Sequence, residues 1–329
     1  MTGELEPFHP GAQPTTTANY DPVLLTYTNN VSVVDPRRNL LLDSEMRAPR
    51  TDEYSIGVDH EVGHGVAVAV AYVRKNGSDF IGWTDVGGQY HEGTQTLRDG
   101  RTIPVFDLVN GPAARRFLLT NPEEYSLTYN GVVMVIEKRR SHGWQAFGSY
   151  TLSEVYGLQP ASGTTAAGAQ VSTVFTPGLL TFGRDPNDLT NARGRLANDR
   201  PHIARIATSV DIPRTGVVVA ANFQYFSGKP WAATAVVPTT QNAQQRILLE
   251  PRGSQRLSSQ SLLDLRVSKA VRVRGVGRIE LLLDVLNALN DTAEESVASD
   301  NFFGPTFAQP NVFVDPRRAM LGARVNLGR

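Results

Sequence analysis

The sequence predicts an all-β fold: an antiparallel transmembrane β-barrel segment of about nine strands, with short turns at one end and long loops at the other. Three observations predict it. Apolar and polar residues alternate along paired stretches, as on strands whose two faces meet different surroundings. Each stretch is about ten residues long, the length with which a tilted strand crosses a bilayer. The connections between stretches alternate between short and long.

Composition narrows the possible functions. The 329 residues include 32 basic and 32 acidic side chains, so a nucleic-acid partner is not expected. The chain has no cysteine, which excludes disulfides and thiolate metal sites. No apolar run is long enough for a transmembrane helix, and the N-terminus lacks the pattern of a signal peptide. An export signal is therefore expected upstream of Met1.

Residues 1–50 are predicted to be an extracellular loop region, because they are polar, contain prolines and show no periodicity. Within them, Val23–Leu25 and Leu40–Leu42 could make short strands or pack locally. Residues 51–329 are predicted to form the C-terminal barrel segment.

The first predicted hairpin begins at Thr51 and turns at Gly63–Gly65. Its larger side chains share one face, and its small or acidic side chains share the other. The larger set consists of Tyr54, Ile56, Val58, His60, Val62, Val66, Val68, Val70 and Tyr72. The opposite set includes Glu53, Asp59 and Glu61.

Two further hairpins follow. The arm at residues 124–139 is apolar on both faces around Val132–Ile136, which leaves its facing ambiguous, and it turns at Arg140–Gly143 into residues 144–152. The next hairpin pairs residues 205–212 with residues 217–225. The long segments before and between these arms are predicted to be irregular, because Gly, Asp and Asn recur throughout them.

The clearest hairpin is Ser261–Asn290, which turns at Arg272–Gly277. Its predicted lipid-facing residues are Leu263, Leu265, Ile279, Leu281 and Leu283, and its predicted lumen-facing residues are Asp264, Arg266, Glu280 and Asp284. A final arm, Arg318–Leu327, alternates in the same way.

Loop length distinguishes a membrane barrel from a soluble sandwich. The connections after odd-numbered arms have about three to six residues, and those after even-numbered arms have roughly 25 to 45. Outer-membrane barrels have short periplasmic turns and long outside loops, whereas both ends of a soluble sandwich face water. Because single-chain barrels have an even number of strands, about nine arms predict the C-terminal part of a longer protein.

Several phrases resemble TonB-dependent outer-membrane receptors, most closely the Oar-like group with a carboxypeptidase-regulatory-like domain. They are RAPRTDEYSIGVDHEV (47–62), YNGVVMVIEKRRSHGWQAFGSYTLSEV (129–155), NDRPHIARIATSVDIP (198–213), LDLRVSKAV (263–271), LDVLNALND (283–291) and NFFGPTFAQPNVFVDPRRAMLGARVNL (301–327). They follow the family's order, but no plug and no TonB box is found. Leu327 stands where the family has a terminal aromatic residue.

The resemblance implies import of a large solute (a siderophore, cobalamin, glycan or peptide) across the outer membrane of a Gram-negative bacterium. It implies four kinds of partner: outer-membrane lipid, the TonB complex acting through the missing plug, the barrel-assembly machinery and the imported solute. It implies no enzyme and no cofactor. The alternative that stays open is a surface β-sheet binding module or adhesin without transport activity.

The candidate substrate-binding residues are the predicted lumen-facing charges Glu53, Asp59, Glu61, Arg205, Asp211, Asp264, Arg266, Glu280, Asp284 and Arg324. They could line a solute path, although charges that solvate the barrel interior and pair with one another would give the same pattern. Four aromatic residues, Tyr54, Tyr72, Trp144 and Tyr225, are predicted to lie in girdles at the membrane interfaces.

Catalytic and metal motifs are weak. The six histidines have no metal-site spacing on one strand, and no Gly-x-Ser-x-Gly elbow is present. The run GRDPNDLT at Gly183–Thr190 clusters oxygen-bearing side chains without the spacing of an EF-hand loop, so an Asx-rich turn is predicted there.

Overall fold

The computed structural model describes residues 15–21, 26–34, 39–158, 185–273 and 277–327. Within these ranges the regular structure consists of β-strands and two single-turn 3-10 helices, at Pro112–Ala114 and Pro186–Leu189. In chain order the strands are β1 (Thr15–Asp21), β2 (Thr26–Val34), β3 (Leu40–Leu42), β4 (Arg50–Gly63), β5 (Val66–Ser78), β6 (Gly82–Asp85), β7 (Tyr90–Thr96), β8 (Thr102–Leu108), β9 (Phe117–Thr120), β10 (Ser126–Ser141), β11 (Trp144–Leu158), β12 (Gly194–Arg195), β13 (His202–Ile212), β14 (Val217–Phe226), β15 (Pro230–Trp231), β16 (Thr234–Val237), β17 (Gln245–Leu248), β18 (Gln255–Arg256), β19 (Gln260–Val273), β20 (Gly277–Leu286), β21 (Glu294–Val297), β22 (Pro310–Phe313) and β23 (Arg318–Leu327).

The long strands form one antiparallel sheet in the order β23-β20-β19-β14-β13-β11-β10-β5-β4, and β12 pairs with β11 beside this path. Every predicted arm corresponds to a strand of this sheet, and the arms pair in chain order as predicted. Within the described residues, β4 and β23 each have a single neighbour, so they are the edges of the sheet.

Some strands are longer than the predicted ten residues: β10 has 16, β11 has 15 and β19 has 14. At about 3.3 Å per residue and a tilt near 40°, sixteen residues rise about 40 Å, whereas the apolar band of such barrels is about 25 Å tall. The strand pairing therefore continues above the membrane on the long-loop side.

Two hairpin turns have the same sequence, His-Gly. His64 and Gly65 have φ angles of 55° and 73°, and His142 and Gly143 have φ angles of 52° and 80°. Positive φ at both central residues is what a type I′ turn requires, and this turn matches the twist of paired strands. The turn expected at Arg140–Gly143 is thus shorter, because β10 continues to Ser141.

The two faces of the sheet differ in polarity. Directly opposed residues of neighbouring strands point to the same side, so the register defines an outer face and an inner face. The outer face carries exposed apolar side chains, such as Ile56 (74% exposed), Leu281 (54%) and Leu321 (87%). The inner face carries the charged set. The register also resolves the facing of β10, because Met134 and Ile136 lie opposite Tyr150 and Gly148 on the outer face.

The long connections, together with the strand Leu40–Leu42, fold into what we call the loop layer; its connections are residues 79–125, 185–201, 227–259 and 287–317. Its small sheets are β3-β9-β6, β7-β8, β15-β18, β16-β17 and β21-β22. The main apolar cluster joins two connections: Leu97, Ile103 and Val105 pack with Ala235, Val237 and Ile247. The prediction that these segments are irregular is therefore wrong, because short strands from separate connections bury one another.

Residues 1–50 also contain regular structure. The predicted loop includes an antiparallel hairpin of β1 and β2, and β3 pairs in parallel with β9 in the loop layer. The segments TTTANYD and TYTNNVSVV are rich in β-branched residues, which favour strands even without strict alternation. Of the two alternatives for Leu40–Leu42, a short strand or local packing, the structure has the strand, and Leu40 also packs in an apolar cluster; Val23–Leu25 lies outside the described residues. In the described part of the chain, no helix is long and apolar enough to span a membrane.

Candidate ligand-facing surface

All ten candidate residues lie on the inner face of the sheet. Glu53 lies opposite Lys75, Arg266 opposite Asp284, and Glu280 opposite Arg324. Following the register from strand to strand places the remaining candidates, Asp59, Glu61, Arg205, Asp211 and Asp264, on the same side. The sequence pattern thus located one face of the sheet correctly. Whether these residues bind a solute stays a prediction.

Ion pairs between strands include most of these charges. Lys75 Nζ lies 2.8 Å from Glu53 Oε2, and Arg266 Nε lies 2.5 Å from Asp284 Oδ1. Arg324 Nη1 lies 3.5 Å from Glu280 Oε2, and Arg140 forms an ion pair with Asp211. The basic partner of each pair is exposed, whereas Asp284 and Glu280 are only partly exposed, so the pairs organise the inner surface more than they stabilise the fold.

Four candidates have other surroundings. The guanidinium carbon of Arg205 lies 5.5 Å from the centre of the Phe226 ring, and Asp264 accepts a 2.9 Å hydrogen bond from the Asn287 amide. Asp59 and Glu61 lie on the edge strand β4, and within the described residues no ion pair includes them. Both side chains are exposed, so they are accessible to a further strand or a ligand.

An open groove of about 790 Å³ lies over the inner face of the central strands. Arg266, Asp284 and Arg140 line it together with Phe147, and the small residue Ala220 lies at its base. A second recess of about 410 Å³ lies near the loop end, between Gln260, Asp264, Glu295 and Arg318. The inner face therefore offers a wide, charged channel wall rather than an enclosed pocket.

The loop layer is held together by buried polar groups that the sequence pattern did not identify. Asp85 accepts hydrogen bonds from Arg115 Nε at 2.8 Å, from Tyr90 Oη at 2.7 Å and from the amides of Gly87 and Gly88. Burial raises the pKa of Asp85, but these hydrogen bonds outweigh burial and hold its pKa below the ordinary value. Burial, together with the hydrogen bond to Asp85, raises the pKa of Tyr90.

Asp199 is the second such group, and its side chain is fully buried. Its Oδ1 accepts from the Val155 amide at 2.7 Å, while Oδ2 pairs with Arg256 and lies 3.4 Å from Arg195 Nη1. This carboxylate ties the top of β11 to two loop segments. Neither Asp85 nor Asp199 lies in an alternating stretch, so the period-two pattern that identifies strand faces contains no information about them.

The run around residue 185 is an Asx-rich turn, as predicted. The Asp185 side chain accepts from the Asn187 amide at 3.0 Å and begins the 3-10 helix at Pro186–Leu189. Asn187 in turn bonds both backbone groups of Phe106, across 81 positions of sequence. Gly183 and Arg184 lie outside the described residues. No grouping of three or more His, Cys, Asp or Glu side chains that could hold a metal occurs in the part of the chain that the structure describes.

Aromatic side chains lie on the outer face near both ends of the strands. Tyr54, Tyr72 and Tyr225 lie toward the loop end, as the register of β4, β5 and β14 shows. Trp144 begins β11 at the turn end, with Lys138 Nζ 5.0 Å from its ring. A lysine beneath an interfacial tryptophan can extend toward the membrane surface while its stem stays on the apolar face.

Comparison with known proteins gives one family match. A family model described as an outer membrane beta barrel domain matches residues 4–222. No curated protein matches the sequence.

Similar solved structures come from outer membranes. The outer membrane transporter YddB from Escherichia coli has a TM-score of 0.50 and 12% identity over 86% of this chain and 33% of YddB. The ferric-catecholate import receptor Fiu from E. coli has a TM-score of 0.47 and 12% identity over 85% of this chain and 28% of Fiu. The pyoverdine receptor FpvA from Pseudomonas aeruginosa has a TM-score of 0.47 and 13% identity over 87% of this chain and 31% of FpvA. The chain thus spans about a third of the length of these structures, and the likeness to YddB concerns the fold.

Proposed function

The chain belongs to the outer membrane beta barrel domain family, and on this basis we propose that it is the C-terminal barrel portion of a TonB-dependent transporter that imports a large solute. The protein is an all-β component of the outer membrane of a Gram-negative bacterium, and its barrel is of the type found in transport receptors. The observation that carries the proposal is the polarity of the sheet: one face is apolar, the other is charged, and a folded loop layer covers only one end. The description of YddB as an outer membrane transporter supports it.

In this proposal residues 51–329 form barrel wall, and residues 1–50 belong to the extracellular side. The loop layer provides the first contact with the solute, because loops on a rigid scaffold commonly carry binding residues. The inner face then provides a hydrated, charged wall along which the solute passes once a plug, energised through TonB, moves. The solute is a siderophore, cobalamin, glycan or peptide.

In this mechanism the role of each inner-face charge depends on where it lies on the sheet and on whether it is paired. Paired charges such as Arg266 and Asp284 keep the wall hydrated without presenting a net charge to the solute. Asp59 and Glu61, which lie near the short-turn end of β4, would attract cationic groups or hold an adjoining basic surface. We propose no catalytic role for these residues.

Membrane insertion is tested by fractionation of cells that express the gene. We expect the product in the outer-membrane fraction, with electrophoretic mobility that changes on boiling, since folded barrels keep their compact form in detergent at room temperature. Recovery of the product in the soluble fraction would contradict the proposal.

Transport is tested separately from binding. Deletion of the gene should abolish uptake of the cognate solute, and collapse of the inner-membrane proton gradient should do the same while leaving surface binding intact. The alternative, a surface binding module, predicts solute binding with no uptake that depends on this gene. Uptake that continues after the proton gradient is collapsed would contradict the role of TonB and would indicate a passive channel instead.

A further inference from the structure

A cationic patch lies on the outer face of the sheet, above the apolar strip and next to the loop layer. We call it the rim patch, and its basic members are Arg74, Arg193, Arg195 and His202. The register brings them together: Arg74 lies opposite Asn130, which lies opposite Glu154, and Arg195 lies opposite Tyr156. His202 lies opposite Leu152 on the same side.

Aromatic residues hold part of the rim patch in place. The guanidinium carbon of Arg193 lies 5.8 Å from the Tyr156 ring, and Tyr150 Oη lies 2.7 Å from His202 Nδ1. Tyrosines at this height are typical of the interface between the hydrocarbon core and the headgroups. The basic groups therefore stand at headgroup level rather than in the aqueous loops.

The patch has an excess of positive charge. Arg195 is neutralised by Glu154 at 3.1 Å and by the buried Asp199 at 3.4 Å. Within the described residues no ion pair includes Arg74 or Arg193. At the loop end of the outer face, Arg50 and Asp52 on β4 neutralise each other, with Arg50 Nη2 2.7 Å from Asp52 Oδ2.

The strip beside and beneath the patch is apolar and exposed. Val70, Met134, Ile136 and Leu152 point outward there, with exposed fractions from 46% to 52%. A molecule that carries anionic groups above several hydrocarbon chains would contact the rim patch and the apolar strip at the same time.

We propose that the rim patch binds the phosphorylated headgroup of a lipid in the outer leaflet, with the acyl chains of that lipid on the strip below. The long-loop end of such a barrel faces outward, so the patch lies in the leaflet where Gram-negative bacteria place phosphorylated glycolipid. Guanidinium groups bind phosphate oxygens through paired, charge-assisted hydrogen bonds. The proposal rests on the outer-membrane location and is independent of which solute, if any, the protein imports.

The test uses the full chain extracted from outer membranes in mild detergent. Binding is titrated with diphosphorylated lipid A, with the same lipid after dephosphorylation, and with inorganic phosphate alone. We expect binding of the phosphorylated lipid only, because the patch requires both the anionic group and the chains. Equal binding of the dephosphorylated lipid would overturn the proposal, and so would equally tight binding of free phosphate.

Variants locate the site. Arg74→Ala and Arg193→Ala should each weaken binding about 5-fold, and the double variant about 30-fold, since a basic residue near an anionic surface contributes about that factor. The control is Arg98→Ala, which removes an exposed arginine from the loop between β7 and β8 and should leave binding unchanged. Heat-dependent mobility checks that every variant is folded. A folded double variant that binds the lipid as tightly as the unmodified protein would overturn the proposal.

Discussion

The spanning sheet and the loop layer place their apolar residues in opposite ways. In the sheet the large apolar side chains are exposed, and Leu321 is 87% accessible. In the loop layer they are enclosed, and Trp83 and Ile247 are 1% and 0% accessible. The sheet relies on lipid as its apolar surroundings, whereas the loops must build a core of their own because they stand in water.

The polar residues of the sheet and of the loop layer also differ in burial. The sheet pairs its charges in the open, as Lys75 does with Glu53. The loop layer buries carboxylates and gives each of them several donors, as around Asp85 and Asp199. A charge pair in water contributes little to stability, whereas an enclosed carboxylate that loses its partners is costly. The two regions should therefore respond to opposite kinds of substitution.

The largest effect is expected for Asp199→Ala. The substitution leaves Arg256 without its counter-ion and the buried Val155 amide without its acceptor, and breaking a buried ion pair costs about 3–5 kcal/mol. Hydrogen exchange should then show faster exchange at the top of β11 and in residues 194–202, with the lower strands unchanged. Asp99→Ala, which breaks the exposed pair with Arg101, is the control and should leave the exchange pattern as it was. Equal effects of the two variants would contradict the difference in cost between a buried and an exposed carboxylate of the loop layer.

A somewhat smaller effect is expected for Leu281→Lys. Leu281 lies on the outer face midway along β20, and a lysine at the bilayer midplane costs about 2–4 kcal/mol. The free energy of unfolding in lipid vesicles, measured by urea titration, should fall by that amount.

The neighbouring position supplies the matched control. Leu282 points to the inner face of the same strand, opposite Ser268 and Gly322, so Leu282→Lys should change the free energy of unfolding far less. A soluble sheet with its core on the Leu281 side would also be destabilised by Leu281→Lys, but it would fold in water, whereas the membrane-embedded sheet folds only in lipid or a detergent micelle. Equal losses at both positions would contradict the assignment of the faces.

The third effect is a dependence on pH that is confined to the loop layer. The pKa of Asp85 is below its ordinary value in the folded protein, so its contribution to stability is fully present above about pH 4 and is lost as pH falls through the folded pKa. Proteolysis of the loop layer should therefore be unchanged between pH 7 and pH 5 and should rise below pH 4. In Asp85→Asn the additional loss at low pH should be reduced. A rise that begins at pH 6 would point to another group.

These contrasts also explain what could be predicted from the sequence. The sheet was predictable because its two faces meet two different solvents, so residues such as Leu281 and Asp284 alternate with a fixed period. The turns were predictable because glycine at Gly65 and Gly143 permits the positive φ that a tight hairpin needs.

The loop layer could not be predicted in the same way. Its core is assembled from short segments far apart in sequence, as where Asn187 bonds Phe106, and no local period records such a contact. The candidate charges were therefore placed on the right face from the sequence alone, whereas Asp85 and Asp199 were not found.

The smallest effect is expected for a charge exchange within the sheet. Arg266→Asp combined with Asp284→Arg reverses a pair on the inner face, where Arg266 is exposed and Asp284 is partly exposed, so the same bond can form in the opposite sense with water completing the remaining hydrogen bonds. Membrane insertion and heat-dependent mobility should be unchanged, and uptake of the solute should stay within about twofold if these charges mainly hydrate the wall. Loss of uptake by the folded double variant would instead assign the pair to the solute path.

The corresponding exchange in the loop layer should fail. In Asp199→Arg combined with Arg256→Asp the ion pair could form again, but an arginine has no acceptor for the Val155 amide, which now bonds Asp199 at 2.7 Å. The buried amide would lose its partner, and the larger side chain would not fit a fully enclosed site. Exchange of the pair is thus tolerated where water completes the hydrogen bonds and is not tolerated where the protein must complete them itself. Equal tolerance of the two exchanges, measured by hydrogen exchange of the loop layer, would show that Asp199 acts through its charge alone.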